Sequence, residues 1–249
     1  MGNLYLYIFI FLFMSILIIG GTHGGEPSGV ELVSYLGTHP INGVKTLLAH
    51  PQAVAKGVRF IETDLNRSAN IFPARSLEEH LAAELQPIIA THDLVLDFHN
   101  TTATNTTCLI VSSAPTDLDM QISCAFEIAS IAIIPSSHNL ISYAKHGIGV
   151  EIARDDLEKY TTEFLAKSIQ NIVQKRVIQN QKIDIFELVT TIEFNDINRS
   201  ILLKNFEPLS TEQSKQLDIK IPNLYPIFFG EVEYKSMLCM LVKKIEIEF

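Results

Sequence analysis

Short apolar segments that each run into a polar motif are the strongest constraint on the fold of this chain. Ser15–Ile19 continues into Gly20–Glu26, and Leu94–Phe98 continues into His99. Apolar segments of this length are typical of strands that are buried on both faces of a sheet. A helical pattern begins between them at Pro27, a residue that suits the first turn of a helix. This alternation predicts an α/β sheet with helices on both faces.

The alternating pattern continues to about residue 179. Further strands are expected at Val44–Leu48, Thr107–Val111 and Gly147–Ala153, and further helices at Arg75–Ile89, Asp117–Ile131 and Asp155–Gln179. From residue 180 onward β-branched residues dominate, no strong helix is expected, and Leu217–Ile221 is one of the β-rich stretches. The predicted domains are an apolar leader (1–14), an α/β domain (15–179) and a small β-rich C-terminal domain (180–249).

Residues 4–20 are almost wholly apolar, and two interpretations of them stay open. A spanning helix needs about 20 apolar residues, and a signal peptide begins with basic residues, which this stretch lacks. We expect an apolar leader before a buried first strand; a membrane anchor is the alternative.

The composition excludes some classes of partner. The 249 residues carry a formal net charge of −9 and no block of Lys and Arg, so a nucleic-acid partner is not expected. Three widely spaced cysteines are typical of reduced core residues in a cytoplasmic protein. A homo-oligomer is compatible with this composition.

Histidine and glutamate side chains follow both apolar segments. His23 and Glu26 stand in Gly21–Glu26 (GTHGGE), and His99 ends the second segment. Sites form beyond the carboxyl ends of parallel strands, and two imidazoles with one carboxylate leave a fourth position on zinc open. Asp97 could orient a ligand from behind. The pattern predicts one catalytic zinc per chain, although a capping glutamate, a surface histidine and a histidine that satisfies backbone groups fit the same local sequences.

Four further polar residues suit the hydrolysis of an anionic amide. Arg67 can bind a carboxylate through its planar fork, Asn66 can add a donor, and Arg59 can stabilise an oxyanion. Glu151 stands in an otherwise apolar strand, where it could act as general base and acid. Ordinary surface arginines and a glutamate on the solvated face of an edge strand are the alternatives.

Four motifs together resemble the aspartoacylase/succinylglutamate desuccinylase family, a relative of the zinc carboxypeptidases. They stand in the family's order, at Gly21–Glu26, Asp64–Arg67, Asp97–Thr102 and Gly149–Glu151. The resemblance implies a zinc carboxypeptidase-like mixed sheet and one Zn²⁺. It also implies that residues 15–179 form a zinc-hydrolase catalytic domain and that residues 180–249 cover its site. The roles that it implies are zinc ligation by His23, Glu26 and His99, acid–base catalysis by Glu151, oxyanion stabilisation by Arg59, carboxylate binding by Asn66 and Arg67, and closure over the substrate by Tyr234.

The chain departs from the aspartoacylase pattern at positions that bear on specificity. The family places a Tyr and an Arg before its catalytic Glu to hold the aspartate side chain, and Ser137 and Ile141 stand there instead. Zinc-dependent hydrolysis of N-acyl-L-amino acids is therefore expected, with N-acetyl-L-aspartate as one candidate substrate. The alternatives are a carboxypeptidase-type peptidase and a catalytically silent, membrane-tethered binding protein.

Overall fold

The computed structural model describes residues 14–177, 181–195, 200–233 and 236–247. These residues form two compact units: Met1–His99, Ser136–Val150 and Thr161–Ile178 make up the first, and Asn100–Pro135, Glu151–Tyr160 and Gln179–Phe249 the second. The elements are β1 (Ile16–Gly20), α1 (Pro27–Thr38), β2 (Val44–Leu48), α2 (Pro51–Lys56), α3 (Leu77–Ala90), β3 (Leu94–Thr101), β4 (Cys108–Val111), α4 (Asp117–Ala125), β5 (Ser130–Ile133), β6 (Gly147–Ala153), α5 (Thr162–Val173), β7 (Asp184–Glu193), α6 (Thr211–Gln216), β8 (Leu224–Ile227) and β9 (Met237–Ile245).

The first unit is built around β1. This strand pairs in parallel with β2 on one side and with β3 on the other, and β6 follows β3, so the order is β2-β1-β3-β6. Ile19 is the partner of Asp97 in the β1–β3 register. The loop after β1 and the end of β3 therefore emerge at the same edge of the sheet.

Helices cover both faces of this part of the sheet. Leu17 and Ile19 of β1 pack with Leu85 and Ile89 of α3 in one apolar cluster. Gly20 faces the opposite side, as alternation along a strand requires, and there it meets α1. The sheet is thus covered as the apolar segments predict.

The contact between β1 and α1 is close enough to require glycine. A Cβ on Gly20 would lie 2.1 Å from the carbonyl oxygen of Gly29, and a Cβ on Gly29 would lie 2.8 Å from the carbonyl oxygen of Phe98. Two glycines therefore let α1 pack directly on the strands. This packing holds the first turn of α1 beside the ends of β1 and β3.

The second unit is a mixed sheet. β4, β5 and β7 are parallel neighbours, whereas β9 pairs antiparallel with both β7 and β8. Phe186, Ile227 and Val242 lie in its apolar core. The antiparallel strands confirm that the C-terminal part is rich in β structure.

Two predicted helices are too long. The helix expected over Asp117–Ile131 ends at Ala125, because Glu127 has a left-handed backbone (φ 52°) and β5 follows. The helix expected over Asp155–Gln179 covers only Thr162–Val173. Asp155 instead accepts hydrogen bonds from the backbone N–H of Asn105 (3.0 and 3.1 Å), so its segment holds a loop.

The stretch at Leu217–Ile221 is also different from its prediction, since no strand forms there. A short helix, α6, precedes it, with Ser210 accepting a hydrogen bond from the Gln213 N–H as its cap. Asp218 then has φ of 52°, which is incompatible with an extended strand.

Two other expectations concern compartment and membrane. No helix within the described ranges has the length and hydropathy needed to cross a bilayer, and the leader lies outside those ranges apart from Met14. All three cysteines are free; Cys108 and Cys239 are buried, and Cys124 is half-buried. The cytoplasmic location and the domain boundary at residue 180 stay predictions.

Candidate metal centre

Three side chains of the first unit converge where β1 and β3 end. His23 lies in the loop after β1, Glu26 is the residue immediately before α1, and His99 lies near the end of β3. All three are buried, with exposed fractions of 3%, 8% and 3%. The parallel pairing of β1 and β3 explains why residues so distant in sequence meet here.

The carboxylate of Glu26 lies between the two imidazoles. Its Oε1 is 2.6 Å from His23 Nδ1, and its Oε2 is 2.9 Å from His99 Nδ1. One potential ligand atom from each residue lies within 4.8 Å of the others. Two histidine nitrogens and one carboxylate oxygen are the donor set of a catalytic zinc site that keeps one position open.

Each histidine has a second carboxylate behind it. His23 Nε2 is 2.9 Å from Asp64 Oδ1, and His99 Nε2 is 2.9 Å from Asp97 Oδ2. Asp97 also accepts a hydrogen bond from the Thr22 hydroxyl (2.8 Å). With each Nε2 directed to a carboxylate, each Nδ1 faces the shared centre, where a bound metal would replace its proton. Carboxylate–histidine pairs of this kind orient metal ligands.

The charges at the centre shift the pKa values of its members in opposite directions. Burial lowers the pKa of His99, but the charges of Asp97 and Glu26 raise it by a larger amount. The pKa of His99 therefore stands well above its usual value. Burial raises the pKa of Glu26, but the charges of His23 and His99 hold it far below its usual value. The carboxylate is therefore ionised, as a metal ligand must be.

Arg59 lies against this cluster, and its partners are carboxylates. Its Nε and Nη2 donate to Asp64 Oδ2 (3.2 and 3.1 Å), and its Nη1 donates to Glu26 Oε1 (3.3 Å). Burial raises the pKa of Asp64, but hydrogen bonding to His23 and the charges of His23 and Arg59 bring it well below its usual value. One cation thus reaches both a predicted ligand and the carboxylate behind another.

Asn66 and Arg67 lie on the short 3-10 turn Leu65–Arg67 that follows Asp64. Asn66 Oδ1 accepts a hydrogen bond from the Leu140 N–H (3.1 Å). Arg67 is exposed, and its Nη1 donates to the carbonyl oxygen of Asn66 (2.7 Å). Both residues belong to the same unit as His23, Glu26 and His99. Their part in substrate binding stays a prediction.

Two further predicted site residues are Glu151 and Tyr234. Glu151 is half-buried in β6, between the fully buried Val150 and Ile152, and belongs to the second unit. Burial raises the pKa of the Cys108 thiol, and the charge of Glu151 raises it further. Tyr234 lies outside the described residues. The catalytic assignment of Glu151 and the closing role of Tyr234 stay predictions.

Two buried, mutually paired residues of this unit were not recognisable from the sequence. Glu78 of α3 and His50 before α2 are fully buried, with exposed fractions of 0% and 1%, and they are paired with each other. A glutamate in the first turn of a helix is ordinarily a solvated residue that favours the helix dipole. Only the three-dimensional structure brings the two side chains together.

Comparisons with known proteins agree with the motifs. The sequence model of the succinylglutamate desuccinylase/aspartoacylase catalytic domain matches residues 13–155. The chain is 32% identical to the aspartoacylase of Xenopus tropicalis over 166 residues, which are 55% of this chain and 53% of that protein. It is 27% identical to N-acyl-aromatic-L-amino acid amidohydrolase (carboxylate-forming) A of Danio rerio over 222 residues, 72% of this chain and 67% of that protein. The match thus spans about half the length of the Xenopus relative.

Solved structures share the fold. Murine aminoacylase 3 superposes with a TM-score of 0.74 at 22% identity, covering 94% of this chain and 96% of that one. Succinylglutamate desuccinylase from Chromobacterium violaceum superposes with a TM-score of 0.75 at 16% identity, covering 95% and 86%. These similarities confirm the predicted fold class.

Proposed function

Because the chain belongs to the succinylglutamate desuccinylase/aspartoacylase family, we propose that it is a zinc-dependent hydrolase of the amide bond in N-acyl-L-amino acids. The observation that carries the proposal is the buried cluster of His23, Glu26 and His99, with a carboxylate behind each histidine. A surface histidine and a capping glutamate would have neither this burial nor these partners.

The donor set suits zinc better than a harder cation. Imidazole nitrogen is a preferred ligand of Zn²⁺, whereas Mg²⁺ and Ca²⁺ prefer oxygen. His23, Glu26 and His99 would hold one Zn²⁺ per chain. When bound, this ion supplies Lewis acidity and a water that is activated at neutral pH.

Glu151 is proposed as the proton carrier. Its carboxylate would take a proton from the attacking water while the water oxygen bonds to the acyl carbon. The same proton would then pass to the amide nitrogen as the C–N bond breaks, which yields a carboxylic acid and a free amino acid. The half-buried side chain of Glu151 would be partly shielded from bulk water during this transfer.

Arg59 is proposed as the cation that stabilises the developing oxyanion. Its guanidinium already lies 3.3 Å from Glu26 Oε1, so it is placed beside the metal ligands. Asp64 holds the other edge of the guanidinium through two hydrogen bonds and so fixes its plane. Preorganised charge of this kind is among the largest contributions to catalysis.

Asn66 and Arg67 are proposed to bind the α-carboxylate of the substrate, and Tyr234 to close over it. Arg67 is exposed and offers the fork geometry that carboxylates fit. The bond from Leu140 N–H uses only the oxygen of the Asn66 amide, so the amide nitrogen can serve a ligand. The related proteins' names point to acylated aspartate or N-acyl-aromatic amino acids as candidate substrates.

The test is a release assay on purified, zinc-loaded protein against a panel of N-acetyl-amino acids and a panel of dipeptides. Free amino acid should appear from the N-acetyl compounds, and a chelator should abolish the release. Cleavage of dipeptides alone would favour the peptidase. Zinc-loaded protein that releases nothing from either panel would contradict the proposal.

A further inference from the structure

One buried carboxylate binds the segment that carries Arg59 and Asp64. Glu78 Oε1 accepts hydrogen bonds from the backbone N–H of Ile61 (2.7 Å) and Glu62 (3.1 Å), and Oε2 accepts from the N–H of Thr63 (3.0 Å). Three consecutive N–H groups directed at one anion form a concave backbone nest. The nest lies between Arg59 and Asp64 in sequence, so its position sets theirs.

His50 completes the surroundings of this carboxylate. Its Nδ1 accepts from the Ala53 N–H at the start of α2 (3.5 Å), which leaves the proton on Nε2, 3.0 Å from Glu78 Oε1. Burial raises the pKa of Glu78, but the hydrogen bonds from His50 and from the backbone bring it to about 2. The buried group is therefore a fully satisfied anion.

Glu78 is itself fixed to the core of the first unit. It lies in the first turn of α3, and Leu85 and Ile89 of the same helix pack against the apolar side chains of β1 and β3. The carboxylate of Glu62 in turn accepts from the Leu77 N–H (2.7 Å). The segment and the start of α3 are thus bound to each other in both directions.

We propose that Glu78, supported by His50, is a positioning residue that holds the segment Arg59–Asp64 against the metal centre. Through this segment it would set Arg59 beside Glu26 and keep Asp64 behind His23. The part of the inference that concerns catalysis rests on the proposed function; the part that concerns the segment and the metal does not.

The experiment uses Glu78→Gln, which keeps the shape of the side chain but places an NH₂ group where an acceptor oxygen stood. Glu84→Gln is the matched control, because Glu84 is an exposed residue of the same helix. Ile89→Val, at a fully buried position of α3, is a control that lowers stability without touching the nest.

Two measurements test the segment and the metal. In zinc-loaded protein, hydrogen exchange at the amides of Ile61, Glu62 and Thr63 should accelerate at least about tenfold in Glu78→Gln. This is the effect expected from the loss of one charged hydrogen bond. Zinc release to a chelator should accelerate by about tenfold, since Asp64 no longer holds His23 firmly. Neither control should show both changes. Exchange at these three amides that is unchanged in Glu78→Gln would overturn the inference.

A third measurement separates positioning from simple stability. kcat should fall at least about tenfold in Glu78→Gln, with KM within about threefold, because Arg59 acts on the transition state while Asn66 is held separately by Leu140. A loss shared equally by Ile89→Val would overturn the catalytic part. If the wild type released no amino acid, the proposed function would fail. Amide exchange and zinc release would still test the part of the inference that concerns the segment and the metal.

A second variant guards against failure of Glu78→Gln to fold. His50→Asn keeps a side chain suited to begin α2 but removes the donor to Glu78. In this variant, amide exchange at Ile61, Glu62 and Thr63 and the release of zinc should both accelerate by about threefold. No change in either measurement would contradict the role given to the pair.

Discussion

Replacing Asp64 by Asn tests whether the carboxylates behind the histidines prepare the centre for metal. Asp64 accepts four hydrogen bonds: one from His23 Nε2 (2.9 Å), one from the Asn66 N–H (2.8 Å) and two from Arg59 (3.2 and 3.1 Å). An asparagine has one acceptor oxygen and no charge. Whichever way its amide turns, either His23 or Arg59 meets an NH₂ group.

The size of the effect follows from this count. The loss of a carboxylate behind a ligating histidine typically costs about 10–100-fold in metal affinity, which corresponds to about 1.4–2.7 kcal/mol. We expect Asp64→Asn to fall within this range. Asp97→Asn should behave similarly, because Asp97 holds His99 in the same way.

The assay is competition for zinc with a chromophoric chelator at neutral pH and fixed ionic strength. Asp93→Asn is the matched control, because Asp93 is also hydrogen-bonded, to Ser15 and Lys145, but its side chain is 43% exposed and it lies just before β3, at the opposite end of that strand from His99. The control should bind zinc within about twofold of the wild type, as expected for a carboxylate outside the ligand shell. An Asp64→Asn protein that binds within about threefold would refute the role of Asp64, because that difference is under about 1 kcal/mol.

Three further substitutions test the proposed roles. Glu151→Gln should leave bound zinc unchanged and lower kcat by about 10²–10⁴-fold, as loss of a general base does; activity within about threefold of the parent would exclude that role. Arg67→Ala should raise KM for every N-acyl amino acid alike, and a loss confined to acidic substrates would overturn the assignment to the α-carboxylate. Ile141→Arg should improve kcat/KM for N-acetyl-aspartate relative to N-acetyl-tyrosine by at least about tenfold, because a buried carboxylate needs a cation. A parent enzyme that already prefers aspartate by more than about a hundredfold would contradict the reasoning from Ile141.

The structure bears on the last substitution. Ile141 is 6% exposed and lies on the 3-10 turn Leu140–Tyr143, whose Leu140 N–H binds Asn66. Lys145, a cation that could compensate for the missing arginine, donates to Asp93 Oδ1 (2.8 Å) at the opposite end of β3 from His99. We therefore expect the part of the site that receives the substrate's side chain to favour an uncharged one.

The convergence of the three candidate metal ligands could be predicted from sequence because strand ends converge. His23, Glu26 and His99 follow apolar segments of a length typical of buried parallel strands, and parallel neighbours bring their carboxyl ends to one edge. The prediction of Asp97 behind a ligand has the same origin. In both cases the apolar segment predicts the strand, and the parallel pairing of the strands brings the polar residues together.

Other features depend on contacts that no local pattern encodes. The early end of α4 at Ala125 and the late start of α5 at Thr162 are set by a left-handed residue and by Asp155 bound to a distant loop. Glu78 is buried because three N–H groups of another segment surround it. A glutamate in a first helical turn has the same sequence signature whether it is solvated or buried.

The most direct test of the central claim is a zinc titration of metal-free protein, followed by both binding and amide hydrolysis. We predict that release of the amino acid from an N-acetyl-amino acid rises linearly with added zinc and stops at one equivalent per chain. The His99→Ala protein should neither bind zinc stoichiometrically nor recover activity. Full activity in metal-free protein, or stoichiometric zinc in His99→Ala, would contradict a zinc hydrolase built on His23, Glu26 and His99.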